Sequence, residues 1–212
     1  MNFSKLVGKS LMGKMSKEEE QYMNFVINGT KNMQELIGAI LAFSKINNQK
    51  LHIESFNPTK LIESLKLDLN AVLSEKNATI HFKSFPGNIQ ADRIKLKQLL
   101  QNLITNGIKF SRKNIDPLII INCIDRPKYY EFQVKDNGIG IAEEQLPFIF
   151  DRFLQANPGH KNQGTGIGLA VVKELLSMME GSVRIESKVD RGTTFTVSFP
   201  IYNKAPMIEP AP

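Results

Sequence analysis

The chain of 212 residues is long enough for one domain of ordinary size with an appended segment, or for one large domain. Hydrophobic residues make up 42% and charged residues 23%, close to the globular average, so a buried core is expected. The net charge of +6 does not mark a nucleic-acid binder: the lysines are scattered among acids, with no basic block, zinc-finger spacing or stacking-aromatic motif. Residues 2–12 read as a helix and Gly13 as a bend. Ser16 and Glu19 then form a capping-box signature for a second helix. On that helix Tyr22, Val26, Met33, Leu36, Ile40 and Phe43 occupy the a and d positions of a heptad, with Gly29 the gap. The stripe fits a dimerising bundle; an amphipathic helix lying on the following domain is the other arrangement it fits.

From Pro58 the pattern changes to mixed helices and strands. Residues 59–75 are expected to be a helix and 79–83 a strand, and Asp92 can cap a long helix reaching about Phe110. Strands follow at 118–124 and 129–135, with Cys123 a buried strand thiol. A helix is expected at 168–180, and the strands at 182–188 and 193–200 are joined by a turn at Asp190, Arg191 and Gly192. This is an α+β arrangement with a largely antiparallel sheet. The expected division is a helical hairpin at 1–56, an α+β domain at 57–203, and a Pro-rich, disordered tail at 204–212. No apolar run approaches the roughly 18 residues of a membrane span, so direct membrane contact is not expected.

Three stretches carry chemistry. Asn102, Asn106 and Lys109 share one face of the helix ending near Phe110. Two amides and an ammonium suit a hydrated Mg²⁺ and phosphate oxygens, since Mg²⁺ takes oxygen ligands and keeps several waters. A solvent-facing helix side is the plain alternative. Asp136 ends a strand and enters a turn containing Gly138 and Gly140. A carboxylate there, with backbone free to approach a flat ligand, suits an adenine amino group; an Asp-Asn-Gly turn without a ligand is the alternative. Gly164, Gly166 and Gly168 open a helix whose free amides and dipole favour phosphate.

A single Gly-rich run would be weak evidence, but the order and spacing of all three is specific. The stretches 102–111, 136–141 and 164–169 resemble the N, G1 and G2 boxes of the histidine-kinase ATP-binding domain, within the gyrase-like (Bergerat) ATPase superfamily. Residues 148–153 (Phe148, Ile149, Phe150, Asp151, Arg152, Phe153) resemble the F box, and the polar, turn-prone residues 154–163 a nucleotide lid. The hairpin is most similar to those of phytochrome-type and hybrid sensor kinases, through residues 22–29, 33–37 and 41–45. The implied fold is a two-layer α/β sandwich with a mixed, mostly antiparallel sheet. The implied ATP contacts are Asn102, Asn106, Lys109, Asp136, Gly138, Gly140, Arg152, Gly164, Thr165, Gly166, Gly168, Leu169 and Thr194. Among them Asn106 is the Mg²⁺ ligand, Lys109 a phosphate contact, Asp136 the adenine acceptor, and Thr194 a support on the Asp136 side. Gly107 stands where the family usually has alanine, and Glu180-Gly181 where it commonly has Gly-Gly, positions expected to leave the ligand roles untouched.

Position 102 bears on mechanism. Hydrolytic relatives carry there a glutamate that activates water, whereas Asn102 cannot accept a proton. The site is therefore expected to hold ATP for transfer to another nucleophile. The phosphoacceptor histidine of a sensor kinase, in its Ser-His-Glu-Leu-Arg-like motif, is absent from this sequence: His52, His81 and His160 all fall outside the first hairpin helix. By resemblance the acceptor would lie about three helical turns before Met1. The expectation is thus a protein-histidine kinase catalytic region that phosphorylates a histidine outside this chain, for relay to a response-regulator aspartate. Its cofactors would be ATP and Mg²⁺, its partners a second copy through the hairpin and a receiver domain, and its location cytoplasmic. The competing expectation is a nucleotide-sensing interaction module without phosphoryl transfer.

Overall fold

The computed structural model describes residues 7, 10, 15–46, 50–151 and 166–202. The chain divides into two compact units, Met1–Lys45 and Ile46–Pro212. In the first, helix α1 spans Lys17–Ile46. It opens on the expected capping box: Glu19 N–H donates to Ser16 Oγ at 3.3 Å, and Ser16 N–H donates to Glu19 Oε2 at 2.7 Å. Along α1 the side chains of Tyr22, Phe25, Val26, Met33 and Ile37 are all more than half exposed. Tyr22, Val26 and Met33 are heptad positions; the side chains of Leu36, Ile40 and Phe43 lie outside the described residues, as does the bend at Gly13.

The second unit runs β1 (Ile53–Phe56), α2 (Pro58–Asp68), α3 (Asn70–Lys76), β2 (Thr79–Phe82), β3 (Ile89–Asp92), α4 (Arg93–Lys109), β4 (Leu118–Asp125) and β5 (Tyr129–Asp136). A 3₁₀ turn at Glu143–Phe148, α5 (Gly168–Met178), β6 (Ser182–Lys188) and β7 (Gly192–Pro200) complete it. The five-stranded sheet has the order β2-β4-β5-β7-β6. Only the β2–β4 pair in it is parallel, with Thr79 opposite Leu118; the remaining pairs are antiparallel. This is the expected mixed, mostly antiparallel sheet.

Helices cover one face of the sheet. Ile119, Ile121, Phe132, Val134, Phe195, Val197 and Phe199 alternate along β4, β5 and β7 and are buried. Leu96, Leu99, Leu100, Leu103 and Ile104 of α4 and Val171, Val172, Leu175 and Leu176 of α5 are buried as well. Phe132 and Phe199 stack at 5.9 Å between centroids in this layer.

Two departures from the sequence reading matter. The helix expected at 59–75 is two helices, broken at Leu69 (φ −93°, ψ 1°). Leu69 is buried while α3 buries no residue, so core packing of one leucine turns the chain aside. The strands β1 and β3 were not anticipated; they form a separate antiparallel pair with Ile53 opposite Asp92 and Phe56 opposite Ile89. Residues 53–56 therefore belong with the second unit, and the boundary lies at Lys45/Ile46 rather than after Phe56.

Asp92 joins these pieces. It is 4% exposed, with Oδ1 accepting from Lys95 N–H at 2.9 Å as the cap of α4 and Oδ2 accepting from His52 N–H at 2.9 Å. Replacement by alanine removes a helix cap and orphans a second donor, a loss of about 2–4 kcal/mol in urea unfolding of the full chain. Asp92→Asn keeps one acceptor oxygen and should lose roughly half as much.

Candidate functional site

The site forms where the C-terminal half of α4, the end of β5, the start of α5 and the β6–β7 turn meet. Asp136 is the last residue of β5. Its Oδ1 accepts from Gly138 N–H at 2.8 Å, within its own turn, and from Thr193 N–H at 3.1 Å, on β7. Among the described residues Oδ2 receives no hydrogen bond, which leaves it an acceptor for an amino group. Burial raises the carboxyl above its ordinary value, and the two amide hydrogen bonds oppose that rise.

The turn after Asp136 is fixed from both sides. Ile139 N–H donates to the Phe110 carbonyl at 2.9 Å, and Asp190 N–H donates to the Ile139 carbonyl at 2.8 Å. Arg112 reaches across, Nε to the Asn137 carbonyl and Nη1 to the Asp190 carbonyl, each at 2.9 Å. Asn137 accepts from Leu118 N–H at 2.9 Å and donates to the Asp116 carbonyl at 3.0 Å. Gly140 has φ +70°, and a Cβ there would collide with the Lys188 carbonyl, so no other residue fits this approach. Ser187 Oγ accepts from Ile141 N–H at 2.8 Å and contacts Thr193 Oγ1 at 2.9 Å.

The other side of the site is built by α4 and α5. Asn102 Nδ2 donates to the Gln98 carbonyl one turn back at 2.8 Å. That bond turns Asn102 Oδ1 toward Gly168, where a Cβ would lie 3.3 Å from it and 3.5 Å and 3.6 Å from Asn106 Nδ2 and Oδ1. The N and G2 stretches, far apart in sequence, are thus in contact through a missing side chain. α5 starts at Gly168 after Gly166 (φ +67°) and Ile167, and no side chain caps its first turn. Its leading amides remain donors suited to an anion. Leu169 is half-buried at that start. Lys109 ends α4 with its ammonium 5.2 Å from the Phe110 ring centroid. Arg152, Gly164 and Thr165, like residues 154–163 and 204–212, lie outside the described residues.

Thr193 holds Asp136 through its backbone N–H, while Thr194 pairs with Lys135 and Glu186 in the sheet and lines the same cavity as Asp136. Gly107 lies close to a proposed ligand group: a Cβ there would stand 3.0 Å from Asp136 Cβ and 2.6 Å from Ile119 Cδ1. Arg112 and Ser187 carried no sequence signal, whereas Asn137 stood in view inside the Asp-Asn-Gly turn.

A carboxylate acceptor at a strand end, a glycine turn and an uncapped helix start beside two amides define a nucleotide-binding α/β sandwich. The chain belongs to the histidine kinase-, DNA gyrase B- and HSP90-like ATPase family, whose model matches residues 91–203. It is 31% identical over 202 residues to the phytochrome-like protein Cph1 of Synechocystis, covering 95% of this chain and 27% of that relative. It is 30% identical over 182 residues to the sensor histidine kinase RcsC of Escherichia coli, covering 82% of this chain and 19% of that relative. The chain therefore spans less than a third of the length of these relatives. Its fold is similar to that of the histidine kinase ThkA solved in complex with the response regulator protein TrrA (TM-score 0.69, 20% identity, 94% of this chain and 57% of that one). No helix among the described residues is long and apolar enough to cross a membrane.

The raised Asp136 carboxyl has a consequence for stability. A folded-state value above the unfolded one means that the fold prefers the protonated acid. Ionisation then costs stability, beginning as pH rises past the unfolded value and levelling off above the folded one. The stability of Asp136→Asn relative to the parent chain should move in the variant's favour between about pH 3 and neutrality. Urea titrations of both proteins across that range would show it; a pH-independent difference would contradict it.

Proposed function

We propose that residues 46–203 are the ATP-binding catalytic domain of a two-component sensor histidine kinase, and that the preceding helical segment is part of its dimerisation hairpin. The γ-phosphoryl group of ATP would pass to a histidine outside this chain and then to a response-regulator aspartate. The observation that carries this is Asn102. It stands where hydrolytic relatives hold a general base, it cannot accept a proton, and its amide is spent on the Gln98 carbonyl. A site so equipped positions ATP and leaves the nucleophile to a partner.

The residues divide the work. Asp136 Oδ2 takes the adenine amino group, with Gly138 and Gly140 keeping the turn close. Arg152, Gly164 and Thr165 belong to the proposed lid side, and Gly166, Gly168 and Leu169 present the start of α5 to the phosphates. Asn102, Asn106 and Lys109 face them from α4. The residues present suit Mg²⁺: Asn106 offers an amide oxygen beside the Gly168 gap, and no cluster of three acidic, histidine or cysteine groups occurs among the described residues. An ion held by one amide, phosphate oxygens and waters fits Mg²⁺, which would neutralise phosphate charge. The names of RcsC and of the ThkA–TrrA complex support a kinase that meets a receiver domain. The exposed apolar stripe of α1 supports pairing with a second copy. A cytoplasmic location agrees with ATP as substrate.

Calorimetric titration with Mg-ATP should show saturable one-site binding. Asp136→Ala should weaken it at least about tenfold, since a charge-assisted hydrogen bond of this kind is worth about 1.5–3 kcal/mol. An unchanged dissociation constant would remove Asp136 from the site. Mixed with a longer copy of the kinase whose own ATP pocket is disabled, this chain should transfer label from ATP to a histidine of that copy. Absence of label in dimers shown to be mixed would overturn phosphoryl transfer.

A further inference from the structure

The loop that leaves α4, residues 110–117, wraps the turn after Asp136. Its Phe110 carbonyl accepts from Ile139 N–H, and its Asp116 carbonyl accepts from Asn137 Nδ2. Where the loop ends, Leu118 N–H donates to Asn137 Oδ1. These bonds join the loop to the turn. Arg112 reaches further: Nε donates to the Asn137 carbonyl in the turn and Nη1 to the Asp190 carbonyl between β6 and β7, each at 2.9 Å.

Asp190 stands at φ 60°, a left-handed backbone that an L-residue adopts at some cost. It is held from two sides, because its N–H donates to the Ile139 carbonyl while its own carbonyl receives the guanidinium. Two residues on, the Gly192 backbone passes so close to the main-chain carbonyl of Asp136 that a Cβ there would collide with it. Thr193 N–H then donates to Asp136 Oδ1 at 3.1 Å, the longer of that oxygen's two bonds. Contacts thus run from Arg112 through Asp190 to the Thr193 amide and the carboxylate. A guanidinium suits this place: its N–H groups form a rigid planar fork that two acceptors can share, whereas an ammonium is a single point. The bond to Asp190 is exposed and the bond to Asn137 half-buried. Water can therefore replace the lost donors and spare the fold, but it cannot fix the distance between the two carbonyls.

We propose that Arg112 is a positioning residue. By tying the turn after Asp136 to the β6–β7 connection it sets the Thr193 amide against the Asp136 carboxylate, and through that the preference for a purine bearing an amino group. It acts through Asp136 rather than on the nucleotide, and it rests on the adenine-site reading given above.

The test compares two nucleotides on the full chain: Mg-ATP and the Mg-triphosphate of unsubstituted purine riboside, which lacks the amino group. The parent should prefer ATP at least about tenfold, the worth of one charge-assisted hydrogen bond. Arg112→Met keeps the aliphatic stem without its donors and should reduce that preference at least about threefold. The lost charge weakens both triphosphates alike and cancels from the ratio. Arg112→Lys keeps the charge without the fork and should fall with Arg112→Met. Hydrogen exchange gives a readout independent of nucleotide: in Arg112→Met the Thr193 amide should exchange at least about tenfold faster while the Val197 amide further along β7 stays as in the parent. A generally loosened fold would speed both amides and weaken both nucleotides together. The positioning role is overturned by that outcome, by an unchanged Thr193 amide, by an ATP preference that survives in Arg112→Met, or by one that Arg112→Lys fully retains. If the parent binds both nucleotides equally, the adenine role of Asp136 fails and this inference falls with it, an outcome recognisable before any variant is made.

Discussion

A carboxylate taken out of water must find donors or lose its charge, and the second unit of this chain is arranged around one such group. Asp136 meets its two donors from opposite directions. Gly138 lies two residues on, in the same turn, while Thr193 lies across the sheet on β7. The second bond requires the β5–β7 register that sets Lys135 opposite Thr194. A slip of one residue would turn alternate side chains to the other face and carry the Thr193 amide away from the carboxylate. Sheet register, turn geometry and the seating of α4 are thus conditions on one side chain. Burial nevertheless wins over the two amides, so the acid sits above its ordinary value. An open carboxylate oxygen that is costly to ionise gains most from a ligand that brings a donor.

The same constraint explains what the sequence did and did not disclose. The capping box of Ser16 and Glu19, the cap of α4 at Asp92 and the glycine turn after Asp136 are local devices, and each is found where its spacing places it. The hairpin turn near Asp190 also follows from its residues, with Asp190 at φ 60° and Gly192 at φ 98°. The strands β1 and β3 were hidden because each is four residues long and their pairing joins Ile53 to Asp92, with two helices and a strand between. No periodicity of so short a run marks it as a strand. Arg112 was invisible for a related reason: its partners are two backbone carbonyls, 25 and 78 residues away, and carbonyls leave no trace in composition. Gly107 misled in the other direction. A change of alanine to glycine looks harmless along the helix and acquires meaning only from what lies across the gap.

Helix α4 connects the two ends of this arrangement. At its N-terminus Asp92 caps it and holds the His52 amide, tying the β1 segment to the helix start. At its C-terminal half Asn102 and Asn106 face the start of α5, and Lys109 closes the helix. A helix of seventeen residues is about 25 Å long, so one rigid element carries the entering chain at one end and the proposed phosphate site at the other. The buried leucines between them lock the rod to the sheet, which fixes how deep its polar end can reach.

Closeness at that polar end is obtained by omitting side chains. Gly168 brings α5 against the two asparagine amides, Gly107 lets α4 rest on Asp136, and Gly138 passes under the Phe110 carbonyl. Each omission weakens local preference, since glycine gains nothing from packing and loses the most freedom on folding. A fold that needed only stability would fill these gaps. Their clustering around Asp136, Asn102 and Asn106, while the leucine-rich core a few residues away is filled, is the pattern of a sequence that gives up local propensity to bring backbone close around the proposed nucleotide site.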